Sequence, residues 1–118
     1  MRDGPARSMI ANTPKPPYYA VIFTSLQTEN LKGYGEMAER MEMLARQQPG
    51  YLGFESARDG LGLAVSYWKD EASLLAWKSH VEHQVAQKLG KKTWYACYKT
   101  RVCRVERDYG AGESTPET

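Results

Sequence analysis

The 118 residues suffice for one compact domain with a core of its own and are too few for two. Hydrophobic residues make up 42% and charged residues 25%, near the average of globular chains, so neither general disorder nor a fibrous repeat is expected. The formal charge is only +2, and Lys and Arg are interleaved with Glu and Asp, as in "ERMEMLAR" and "RVERDY", so the basic stripe of a nucleic-acid binder is missing.

No apolar run approaches the roughly 20 residues that cross a bilayer. The start, "MRDGPARSMIANTPKPP", lacks the apolar stretch of a secretory signal, so a cytoplasmic protein without membrane partners is expected. Cys97 and Cys103 fall on one predicted strand. Their spacing separates them by about 20 Å, well beyond the roughly 4.4 to 6.8 Å that a disulfide spans, so they read as free thiols in a reducing compartment. No CxxC or Cys/His spacing points to a metal site.

Residues 1–17 are rich in Pro, Arg and small polar residues and read as a loose N-terminal tail. Residues 110–118, ending in "GESTPET", have the same character, which leaves 18–109 for the folded domain. "YYAVIFTSLQ", Tyr18 to Gln27, is aromatic and β-branched and predicts the first strand. Tyr34, Met37, Met41, Leu44 and Ala45 then recur at helical spacing, up to "PG" at 49 and 50. "YLGFESAR" and "LGLAVSYW" flank Asp59-Gly60 and predict a β-hairpin. Asp70 is placed to cap a second helix, with Leu74, Trp77, Val81, Val85 and Leu89 on one stripe, ending at Gly90 near Lys88, Lys91 and Lys92. "TWYACYKTRVCRVERDY" predicts a long last strand.

The order β-α-β-β-α-β is that of an α+β, ferredoxin-like fold: a four-stranded antiparallel sheet with both helices on one face. The other face of such a sheet should be polar where it meets water. Strand one instead sets Tyr18, Ala20, Ile22 and Leu26 against Tyr19, Val21 and Phe23, and strand three sets Leu63, Val65 and Tyr67 against Ala64 and Trp68. A second copy packed on the open face, in a homodimer, satisfies both.

The stretch "SYWKDEASLLAWKSHVEHQVAQKLGKKTWYACYKTRVCRVERDY" resembles the antibiotic biosynthesis monooxygenase (ABM) domain family, over about Tyr18 to Tyr109. The shared features are a tryptophan-ending strand, an acidic helix start, then "AW", "H", "EH", "AQ", a glycine and "WY" in order. The resemblance implies a dimeric α+β barrel. It also implies one of three activities: oxidation of a small aromatic or apolar substrate without metal or flavin, haem binding or degradation, or ligand binding without catalysis. Haem-degrading members pair an Asn on the first strand with a Trp on the second helix and a His about ten residues further on. Trp77 matches the Trp, whereas Gln87 stands at the His position and Thr24 and Ser25 stand where the Asn is expected. Haem as a cofactor would then depend on His80 or His83.

Spacing divides the two histidines. His83 lies nearly opposite the apolar stripe, as a solvated or interface-edge residue would. His80 forms a polar seam with Gln84 and Gln87 beside Trp77, which either lines a pocket or is a polar helix margin bonded to water. In a cofactor-free oxygenase His80, whose ordinary pKa is near neutrality, is the candidate base. Gln84, Gln87 and Tyr95 would orient the substrate anion while Trp77, Trp68, Met37 and Met41 wall the pocket, although large aromatics are also ordinary core. Arg101, within a strand covered on both faces, calls for a structural ion pair or a bound anion.

Overall fold

The structure is a computed structural model. It describes residues 9–88 and 94–112, and the backbone alone of residues 83–88. Four strands and two helices follow in the order β1 (Tyr18–Gln27), α1 (Tyr34–Arg46), β2 (Tyr51–Asp59), β3 (Leu61–Trp68), α2 (Glu71–Lys88) and β4 (Tyr95–Val105). The sheet runs β2-β3-β1-β4 and every pairing is antiparallel, with both helices on one face. This is the expected ferredoxin-like α+β architecture. The expected end of α2 at Gly90, with Lys91 and Lys92, lies outside the described residues, as do Leu89 and the side chain of Val85.

Local chemistry accounts for the boundaries. Gly60 closes the β2–β3 hairpin at φ 80°, a conformation open to glycine at little cost. Asp70 accepts a hydrogen bond from the Ser73 N–H at 2.8 Å and caps α2. Trp94 anchors the start of β4, where its indole N–H donates to the Lys32 carbonyl at 2.9 Å and its own carbonyl accepts from the Thr28 N–H at 2.8 Å.

Strand register sorts the side chains into two layers. Tyr19, Val21, Phe23 and Ser25 of β1 stand level with Trp68, Ser66, Ala64 and Gly62 of β3 beneath the helices. The core lies at one end of this layer, where Trp68 and Leu74 are fully buried and Ala45 and Trp77 pack against them with Met41, Leu44 and Val81. The Trp68 indole N–H is satisfied by the Ser66 hydroxyl at 2.8 Å, so its burial leaves no stranded donor.

The opposite face carries Ala20, Ile22, Thr24 and Leu26 with Leu61, Leu63 and Val65. Leu26, Leu61 and Leu63 are 43%, 51% and 45% exposed, so apolar surface does stand open on this side. Residues 9–17, read above as part of a loose tail, partly cross this face. The Ala11 N–H donates to Glu55 Oε2 at 2.8 Å, and Thr13 Oγ1 donates to the Tyr18 hydroxyl at 2.9 Å. Tyr18 in turn donates to Asp108 Oδ2 at 2.5 Å, which ties both ends of the domain to the sheet.

Candidate functional site

On its helix-facing side β3 presents, in order, Gly62, Ala64, Ser66 and Trp68. Three small residues followed by a large one leave space over most of the strand and a plug at its end. The two helices roof this space, and a cavity of about 540 Å³ remains between sheet, α1 and α2, within the range of small-molecule sites. Val21, Phe23 and Phe54 form its floor, and Met37, Met41, Leu74, Trp77 and Val81 its roof. Among the charged lining groups, Glu42 pairs with Arg46 at 2.7 Å and Glu82 with Lys78 at 3.4 Å, whereas Glu39 forms no ion pair among the described residues.

Aromatic rings wall one end. Phe23 packs edge-on against Tyr95 at 5.2 Å, and Tyr34 meets Tyr95 at 5.9 Å and Trp94 at 5.7 Å, both nearly perpendicular. Burial, and next the neighbouring Tyr34 hydroxyl, push the Tyr95 phenol well above its ordinary range, while the nearby positive charge of Arg58 acts the other way. Tyr95 therefore stays a neutral hydrogen-bonding group at any physiological pH.

Arg58 reaches the same end from β2. Its guanidinium donates to the Ser25 hydroxyl at 2.6 Å, to the Ser25 carbonyl at 3.3 Å and to the Gly60 carbonyl at 3.4 Å. Arg58, Gly62, Ser25 and Tyr98 form one row across all four strands. The arginine lies over Gly62, where a Cβ would overlap its guanidinium.

The structure brings Trp77, Tyr95, Met37 and Met41 of the expected site together on the cavity. Trp68 is fully buried in the core and His80 sits beside Trp77, and neither lines the cavity. The lining positions of α2 are Leu74, Trp77, Lys78, Val81 and Glu82, and at about 100° per residue His80 falls some 60° outside that arc. Its Nε2 is buried and has no hydrogen-bond partner among the described residues. The side chains of His83, Gln84 and Gln87 lie outside the described residues. Arg101 points to the open face, level with Ile22, and has no ion pair among the described residues. The sequence shows no sign of a site role for Arg58, Tyr34 or Glu39, and Ser25 enters it only as a residue standing where haem-degrading members carry an Asn. The available signal was the run of small residues at every second position from Gly62 to Ser66, which marks the place where a cavity opens.

Haem and metal can be tested against this lining. The described cavity walls offer no imidazole, and the usual proximal ligand of haem is histidine. Among the described residues no group of three His, Cys, Asp or Glu is placed to hold a metal ion. The described lining does not fit haem, and no step through it follows. Among the described residues, no helix is long and apolar enough to cross a membrane.

Known proteins resemble this chain in sequence and in fold. An uncharacterized protein of Bacillus subtilis, YqjZ, is 50% identical over 108 residues, covering 90% of this chain and 95% of that one. A jasmonate monooxygenase of Pyricularia oryzae is 28% identical over 97 residues, covering 80% of this chain but only 39% of that protein. The crystal structure of a single-site mutant of SnoaB, a cofactor-independent oxygenase of Streptomyces nogalater, superposes with a TM-score of 0.64 at 8% identity, covering 77% of this chain and 95% of that one. The family model described as antibiotic biosynthesis monooxygenase matches residues 17–89, and the chain belongs to that family.

Proposed function

We propose that the protein is a monooxygenase that oxidises a small aromatic or apolar substrate without metal or flavin, and that it works as a homodimer. The observation that carries this reading is the cavity of about 540 Å³, walled by Phe23, Phe54, Trp77 and two methionines, with the Tyr34–Tyr95 pair at one end. The jasmonate monooxygenase among its relatives supports the reaction class, and the structurally similar SnoaB is a cofactor-independent oxygenase. The exposed leucines of the open sheet face support the dimer.

Without a cofactor the substrate must supply the electrons. A phenol or enol fits this requirement once deprotonated, because its anion gives one electron to O₂ and the resulting radical pair combines into a carbon-bound peroxide. Loss of water then leaves a ketone where the substrate had a CH₂ group. One oxygen atom is retained and the other leaves as water. All four electrons come from the substrate, so no external reductant is needed.

The residues divide this work. The Tyr34–Tyr95 pair supplies hydrogen bonds where the substrate oxygen becomes negative, a preorganised arrangement that costs no reorientation during the reaction. Glu39, a lining carboxylate with no ion pair among the described residues, is the proton acceptor at the rim. Trp77 stacks on the substrate ring, and the apolar walls hold the body of the substrate. His80 holds Trp77 in place and is a positioning residue.

The test is oxygen uptake by chelator-treated, flavin-free protein with a set of phenols and anthrone-type ketones, followed by mass analysis of product formed under ¹⁸O₂. Incorporation of one labelled atom per turnover, unchanged by added metal or flavin, is the expected result. A compound that binds in the cavity and is never oxidised would leave a small-ligand-binding dimer instead.

A further inference from the structure

Of the two cations that line the cavity, Lys78 pairs with Glu82, whereas Arg58 has no ion pair among the described residues and no role in the oxidation. The Arg58 guanidinium has five N–H donors, and the structure directs them to three acceptors, Ser25 Oγ, Ser25 O and Gly60 O. It has no carboxylate partner among the described residues, and the neighbouring Tyr95 is neutral. Ser25 is 2% exposed, so the group that fixes the arginine is itself locked in the sheet. Gly62 beneath it has no side chain, and that lets the guanidinium lie flat across β3 toward β1. A long, flexible side chain is thus held in one place by two strands, with donors to spare.

We propose that Arg58, seated on Ser25 over Gly62, binds the carboxylate of the substrate, so that the protein acts on amphipathic acids: an apolar or aromatic body with a carboxylate at one end. This rests on the cavity being the substrate site. Apolar walls of Val21, Phe54, Leu74 and Trp77 suit the body of such a molecule, and Arg58 stands at the exposed hairpin end. A carboxylate there stays partly hydrated, and the charge-assisted bonds form without the full desolvation penalty of a buried ion pair. A planar carboxylate also matches the guanidinium fork in a way that a single phenolate oxygen does not.

Two probes of equal shape separate the idea from the reading it rests on: 2-naphthoate, which carries the carboxylate, and 2-acetylnaphthalene, which is neutral. Binding to the full chain is followed by tryptophan fluorescence or calorimetry for the wild type, Arg58→Met and Gly62→Ala. The expected result is that the wild type prefers the acid by roughly tenfold, as a net hydrogen-bonded charge pair of this kind would give. Arg58→Met should lose that preference while binding the neutral probe as before. Gly62→Ala keeps the charge but displaces the guanidinium, and should lose most of the preference as well. Equal binding of the two probes by the wild type, or a preference that survives Arg58→Met, overturns the carboxylate site and leaves the cavity reading standing. Failure of both probes to bind overturns the cavity reading, and the proposal with it.

Discussion

The His80 ring lies 5.6 Å from the Trp77 ring with 25° between their planes, and Trp77 lies in turn 5.8 Å from Trp68 at 26°. The three rings form one stack, and only Trp77 of the three lines the cavity. His80 can therefore fix the angle of the indole without touching what the cavity holds. A base and a support respond differently to replacement. Phenylalanine keeps the stack and removes both nitrogens, whereas alanine removes the stack. Turnover of an oxidised substrate is expected to stay within about twofold in His80→Phe and to fall roughly tenfold or more in His80→Ala, since small misplacements of a substrate-packing group are costly. Equal losses of about 10² or more in both variants would assign His80 to proton transfer instead.

Tyr18 joins three chain segments. It is buried, receives a hydrogen bond from Thr13, donates one to Asp108 at 2.5 Å and packs edge-on against Tyr67 at 5.9 Å. Burial first, and then this donation to Asp108, raise its phenol above the ordinary value, so it remains a neutral donor. Tyr18→Phe keeps the ring packing and removes the bridge. A loss of about 1 kcal/mol in denaturant unfolding is expected, with faster amide exchange confined to residues 9–17 and 105–109. Exchange unchanged in those segments would show that the two ends are held by other contacts.

Much of this fold could be read from alternation and punctuation. The first strand begins and ends at the expected residues, the β2–β3 hairpin turns on Gly60 at positive φ, and the α2 stripe of Leu74, Trp77 and Val81 does face the sheet. The site was less legible, for a geometric reason. Helical spacing places His80 next to Trp77, but it cannot say on which side of the indole the cavity opens. That depends on the small residues Gly62, Ala64 and Ser66 of a different strand. Arg58 looks like an ordinary hairpin charge until register sets it beside Gly62 and across from Ser25. The path of residues 9–17 depends on Glu55 and Tyr18, which no local pattern links to them.

The cap of α2 carries a pH dependence with a definite sign. Hydrogen bonding to Ser73, chiefly from its side chain and then from its backbone N–H, lowers the Asp70 carboxyl below its ordinary value of 3.8. A group depressed in the folded state contributes stability above its unfolded pKa and loses it as pH falls through the folded value. Asp70→Asn keeps a capping oxygen but does not titrate in this range. The melting temperature of the wild type is expected to exceed that of Asp70→Asn at neutral pH, with the gap closing as pH falls through and below the ordinary carboxylate range. A gap independent of pH would mean that the carboxylate contributes through shape alone.

Leu26, Leu61 and Leu63 cluster on the sheet face opposite the helices, on the adjoining strands β1 and β3 and close in register. Each burial of a side chain this large is worth roughly 1.5–3 kcal/mol, so a second copy laid against this face gains from all three at once, and from Ile22 and Val65 beside them. Arg101 and Lys99 of β4 border the patch and leave its centre apolar. Leu61→Asp places a charge inside that contact, at a position that does not line the cavity. Light scattering of the wild type should give about twice the 13.4 kDa of one chain, and Leu61→Asp should shift the population toward single chains at micromolar concentration while far-UV circular dichroism stays native. A wild type that runs as a single chain would show that residues 9–17 give this face enough cover. A variant that stays dimeric would move the contact to the free edge of β4, whose outer half, with Tyr98 and Val102 45% and 49% exposed, is the other apolar surface of the sheet.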